Sequence, residues 1–147
     1  VELYSDSIDS FKTLIHSFPH TPLSILAFQE ISKVYLEMSA QNAQNPYLLD
    51  LARLNIRRFE QYYPNDQESL QLLQNMAVSM EENFAAKLKS TAEFYERKKM
   101  PKAAVIYYHS SLANYPNTIS AKACKERLIK LNDFYQELGL PHELLQN

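Results

Sequence analysis

Apolar residues recur along the chain at three- and four-residue steps, and prolines interrupt that rhythm at Pro19, Pro22, Pro46, Pro64, Pro101, Pro116 and Pro141. A three-and-four step paints one face of an α-helix. Proline suits a first helical turn, where its missing N–H would have had no partner anyway. The pattern predicts helices over about 2–18, 22–40, 47–63, 66–98, 102–115 and 119–138, with a short helical tail from 141. In the longest of these the stripe runs Leu73, Met76, Ala77, Met80, Phe84, Leu88, Ala92, Tyr95. Neighbouring helices of the same chain would cover such a stripe; a coiled coil with a second chain is the competing account.

One phrase closes three segments: Phe18-Pro19-His20-Thr21, Tyr63-Pro64-Asn65-Asp66 and Tyr115-Pro116-Asn117-Thr118. The aromatic residue ends a helix, the proline prevents its continuation, and Thr or Asp is placed to cap the next one. The prolines are 45 and 52 residues apart, so the chain repeats a helix-turn-helix unit in the manner of a solenoid. Counting back from Pro116 gives Tyr108 at eight residues, Ala104 at twelve, Tyr95 at twenty-one and Ala92 at twenty-four.

That spacing resembles the tetratricopeptide repeat, in which small residues let paired helices approach and large aromatics fill the space around them. The resemblance implies an all-α stack of antiparallel helical hairpins, an α-α superhelix with one long joining helix. Tyr35, Ala52, Ala92, Tyr95, Ala104, Tyr108 and Pro116 are its expected structural positions. Residues 1–19 would be the second helix of a truncated repeat, and 22–64 a second repeat with an insertion near 39–45. The long helix would be 66–98, the best-matching repeat 84–118, and the C-terminal helix and tail 119–147.

Within that class, Ala92-Glu93-Phe94-Tyr95-Glu96-Arg97, then Ala103-Ala104, Tyr107-Tyr108, Leu112 and Tyr115-Pro116-Asn117-Thr118 resemble the BamD family. Its members are outer-membrane lipoproteins of the bacterial β-barrel assembly machinery. The likeness is best over about 84–140. Two features depart from it. The turn that usually carries glycine reads Lys98-Lys99-Met100-Pro101, and Leu138-Gly139-Leu140 falls about three residues late. The opening on Val1-Glu2 reads as a trimmed or mature fragment, which places any signal peptide or lipidated cysteine upstream.

Composition narrows the field. Gly139 is the single glycine, and valine occurs only at 1, 34, 78 and 105, which disfavours phosphate loops, tight β-turns and sheets. The net charge is −2 with signs interspersed, so the basic footprint of a nucleic-acid binder is missing. No apolar run is long enough to span a bilayer. Cys124, the single cysteine, follows Ala121 and Ala123, with Lys122 and Lys125 around it, and reads as a small buried hydrophobe. His16 and His20 have the spacing of a helical metal pair, but Pro19 separates them. Glu81-Glu82 reads as a solvated face, since adjacent helical positions point about 100° apart. Neither an enzyme nor a metal site nor a cofactor is expected, and the expected role is recognition of another protein.

In repeats of this type the first helix of each pair lines the binding groove. Aligned on Tyr35 and Tyr95, that face carries Gln29, Lys33 and Glu37, then Lys89, Glu93 and Arg97. Lys98 and Lys99 extend the second set at the helix end. The plainer account is an exposed face with local ion pairs such as Lys33–Glu37 and Glu93–Arg97, each worth about 0.2–0.5 kcal/mol. The family resemblance implies a lipid-anchored scaffold at the periplasmic face of the outer membrane. Its implied partner is a periplasmic domain of the barrel-assembly pore protein. A periplasmic or cytosolic repeat adaptor for a peptide or partner protein, and a regulatory domain of a larger enzyme, are the competing expectations.

Overall fold

The proline-marked turns fall where the helices of the computed structural model end and begin. The structure describes residues 2–137, and within them six helices follow in order: α1 Glu2–Ser17, α2 Pro22–Gln41, α3 Tyr47–Tyr62, α4 Gln67–Arg97, α5 Pro101–Asn114 and α6 Ile119–Glu137. The described residues contain no strand. The chain is all-α. The tail from 141, the Leu138-Gly139-Leu140 stretch and His142 lie outside the described residues.

The aromatic-proline phrase works in the same way each time. Tyr63 and Tyr115 take nearly the same backbone, φ −134° with ψ 66° and φ −134° with ψ 55°, and each N–H still reaches back to a helical carbonyl, Phe59 or Ser111. A residue before proline is driven out of the helical region, so the helix must stop there. The capping residue follows. Thr21 Oγ1 accepts from Ser24 N, Asp66 Oδ1 from Ser69 N and Thr118 Oγ1 from Ala121 N, at 3.3, 3.0 and 3.1 Å. Each is a side-chain oxygen satisfying an otherwise orphaned donor of the first turn.

The chain divides into two compact units, one ending at Met80 and the other starting at Glu81. In the first, α2 packs against both α1 and α3. Phe28 and Phe59, 1% and 0% exposed, meet edge to face with centroids 5.4 Å apart. The turn aromatics join them, since Tyr63 stacks on Phe59 and its hydroxyl donates to Thr21 O at 3.2 Å. The closing phrase of one hairpin is thus tied to the cap of the preceding one. The insertion expected near 39–45 is divided between two elements, because α2 continues through Gln41 and only 42–46 is loop.

In the second unit α5 packs on α6, and Ala92, Ala104, Val105, Tyr108, Cys124 and Leu131 form one buried cluster. Ala92 and Ala104 are both 0% exposed. Tyr95 and Tyr107 pack against this cluster, stacked on each other at 5.4 Å.

Two turns take left-handed backbone at non-glycine residues, His20 at φ 61° and Lys99 at φ 58°. Lys99 explains the missing glycine of the 98–101 turn. Its N–H bonds Glu96 O and the Met100 N–H reaches Tyr95 O, both at 2.9 Å, which is the hydrogen-bond pair that ends a helix with glycine at this position. A side chain there costs about 1 kcal/mol. Lys99→Gly is therefore expected to raise stability by about 1 kcal/mol in chemical denaturation, and an unchanged or lower midpoint would contradict that account.

Candidate protein-docking surfaces

The expected recognition residues fall into two separate sets, one per unit. On α2, Gln29 is half-buried while Lys33 and Glu37 are exposed. Lys33 Nζ donates to Glu30 Oε1 at 2.8 Å, three residues back, and not to Glu37, the pairing expected from the four-residue spacing. On α4, Lys89 and Glu93 are half-buried and paired at 2.5 Å, and this bond to Glu93 raises the lysine's pKa. Glu93 therefore turns to the residue before it on the helix face; the sequence alone favoured Arg97 after it.

The second unit gives Lys89 and Glu93 a setting that local spacing does not reveal. They line a groove of about 340 Å³ together with Glu96 and Tyr108 and with Ala123, Glu126, Arg127 and Lys130 of α6. Arg127 Nε donates to both oxygens of Glu96, at 2.8 and 3.1 Å, and that bond pushes its pKa up. Tyr108 sits at the base, its pKa pushed up to about 12 by burial, with the charges of Glu96 and Glu93 adding to the effect. A second groove of about 580 Å³ shares Glu96 and Arg127 and adds Arg97, Lys99, Pro101, Leu131 and Phe134. The Glu96–Arg127 pair is common to both.

The basic triplet at the end of α4 is not one patch. Arg97 and Lys99 line the larger groove, while the Lys98 ammonium lies 5.6 Å from the centre of the Phe94 ring, a cation–π contact. Arg127 and Lys130 were not among the residues the sequence singled out. The signal for them was the same one used on α4, because Ala123, Arg127 and Lys130 follow at four- and three-residue steps along one face of α6.

Glu82 is a correction to the sequence reading. It is no solvated face residue: its carboxylate accepts from Ile119 N at 2.8 Å, from Ser120 N at 3.1 Å and from the Ser120 hydroxyl. The first turn of α6 is thereby capped twice, by Thr118 from its own strand of chain and by Glu82 from α4. A carboxylate is well matched to that end of a helix, where the unpaired N–H groups carry partial positive charge.

Cys124 is wholly buried, with its thiol pKa pushed up by that burial. His16 lies in the last turn of α1, whereas His20 occupies the following turn with its ring against Tyr62 and Tyr63. Among the described residues no helix is long and apolar enough to cross a membrane.

A family model described as YfiO, outer membrane lipoprotein, matches residues 28–146, most of the chain. The chain belongs to that family. The YfiO match begins within α2 and runs through α6, so it takes in all the groove-lining and α2-face residues described above. It also associates the chain with the outer membrane. Searches of curated proteins and of solved structures return no match.

Proposed function

We infer that the chain is a non-enzymatic, tetratricopeptide-type scaffold that binds a protein partner during the assembly of outer-membrane β-barrel proteins. It acts at the periplasmic face of the membrane through a lipid anchor carried upstream of Val1. The observation that carries this reading is the YfiO match, taken together with the BamD-like residues at 92–118. The docking surface is the groove system of the second unit, with Lys89, Glu93, Arg97 and Lys99 among its contacts and Lys98 at its edge. The exposed face of α2, with Gln29, Lys33 and Glu37, offers a further contact. The partner is a periplasmic domain of the barrel-assembly pore protein.

The open grooves carry paired charges at their rims, which suits steering and register more than raw affinity. Reversing Arg97 and Lys99 to glutamate is expected to slow association with the pore protein's periplasmic domain several-fold at low salt, and less at high salt. Circular dichroism should stay unchanged. The measurement is a pull-down from detergent-solubilised envelope, followed by association kinetics on the recovered partner. Recovery of no assembly component by the wild-type chain, where a known subunit recovers one, would defeat the function. An unaltered association rate in the double reversal would defeat only the surface.

A further inference from the structure

The first unit holds a pocket of about 210 Å³ that the docking surface above does not use. Phe28 and Ile31 form an apolar floor, each 1% exposed, with Ile15 beside them. Lys12, His16 and Arg58 stand at the rim with Tyr62, and all three nitrogen-bearing side chains are exposed. Among the described residues no carboxylate forms an ion pair with Lys12 or Arg58. Arg58 and Asp9 both reach the Tyr35 hydroxyl electrostatically, in opposite directions: the cation lowers its pKa and the carboxylate raises it.

The polar group that decides what fits is Asn55, 6% exposed and part of the pocket wall. Its Nδ2 donates to Phe28 O at 3.0 Å and to Ser32 Oγ at 2.9 Å. Those two bonds use both amide hydrogens and fix the carboxamide. Its Oδ1 is then the acceptor it still has to offer, and it calls for a hydrogen-bond donor such as a peptide N–H. Free phosphate has no apolar part for the floor of Phe28 and Ile31, and a phospholipid headgroup, whose hydroxyl or ammonium could donate, keeps its apolar chains in the bilayer. A peptide presents a backbone N–H, an apolar stem and, at Asp or Glu, a carboxylate. The volume is also below the ~300–1,000 Å³ of sites for drug-sized molecules, and it suits about one or two residues of an extended segment.

We propose that this pocket binds an acidic peptide segment, with its carboxylate on Lys12 and Arg58, its aliphatic stem on Phe28 and Ile31, and a backbone N–H on Asn55 Oδ1. His16 supplies a further ring donor at the rim. The proposal rests on the reading of the chain as a protein-binding scaffold, but on different residues from the groove of the second unit. A failed envelope pull-down with intact peptide binding leaves the pocket in place, and the converse leaves the groove in place.

The test is a titration of the ¹⁵N-labelled full chain, followed by NMR, with three probes. These are a capped peptide of alternating glutamate and leucine, its glutamine counterpart, and phosphatidylglycerol vesicles. Amide shifts are expected at Lys12, His16, Asn55 and Arg58 with the glutamate peptide, and binding of the glutamine peptide about tenfold weaker. Lys12→Gln and Arg58→Gln each lie on the exposed rim, so both should melt like wild type and each weaken the glutamate peptide about tenfold. Equal binding of the glutamine peptide, saturable shifts confined to other residues, or no saturable shift at all would overturn the proposal. Vesicle binding that the glutamate peptide does not displace would replace it with a lipid site.

Discussion

Ala104→Arg is expected to lower the stability of the second unit by about 3–5 kcal/mol, the largest loss from any single substitution considered. Ala104 is 0% exposed and shares its cluster with Ala92, Val105, Tyr108 and Cys124. The site offers a guanidinium neither room nor a carboxylate partner. Overpacking alone costs about 1–3 kcal/mol, and an uncompensated buried charge brings the total higher. Lys102→Arg, two residues away on the exposed side of α5, should stay within about 0.5 kcal/mol of wild type. Urea unfolding followed by circular dichroism separates the two. Equal midpoints would mean that α5 presents a different face to its neighbours.

Removing Glu82 should have the next largest effect, about 2 kcal/mol for Glu82→Ala. One carboxylate serves two backbone N–H groups and a hydroxyl of α6, and hydrogen bonds to a charged group contribute about 1.5–3 kcal/mol. The α6 donors would be left to water in the variant, and Thr118 would hold the first turn alone. Glu82→Gln keeps the length and one acceptor oxygen while losing the charge, so it should fall between wild type and Glu82→Ala. A Glu82→Ala protein as stable as wild type would show that solvent caps α6 equally well.

The helix boundaries were legible because they are written locally. A proline forbids the preceding residue from continuing a helix, and a Thr or Asp two residues after it supplies the cap. The ends of α1 to α5 and the starts of α2 to α6 fall within about two residues of their expected places. The close-packed alanines at 92 and 104 were legible for a similar reason, since repeat spacing places them. Glu82 was not, because its partners lie 37 and 38 residues away and its immediate neighbour, Glu81, makes it look like half of a solvated pair. Lys33 was paired with Glu37 from its spacing and is found on Glu30, because a pair at three residues or at four is worth only about 0.2–0.5 kcal/mol, too little for sequence to choose. Arg127 and Lys130 came into view only once α6 was seen beside α4 in one groove. Lys99 is intermediate. The absent glycine was visible as a departure, but that a lysine takes the same backbone had to be observed.

The burial of Cys124 gives the chain an internal clock. It is the single thiol of the sequence and lies wholly inside the cluster of the second unit. Burial disfavours the thiolate, the form that reacts with alkylating reagents and oxidants. Modification therefore has to wait for the surrounding helices to separate. The rate at which a thiol reagent consumes this one group reports how often the second unit opens, and a partner that clamps the groove above it would slow the clock without touching the sulfur.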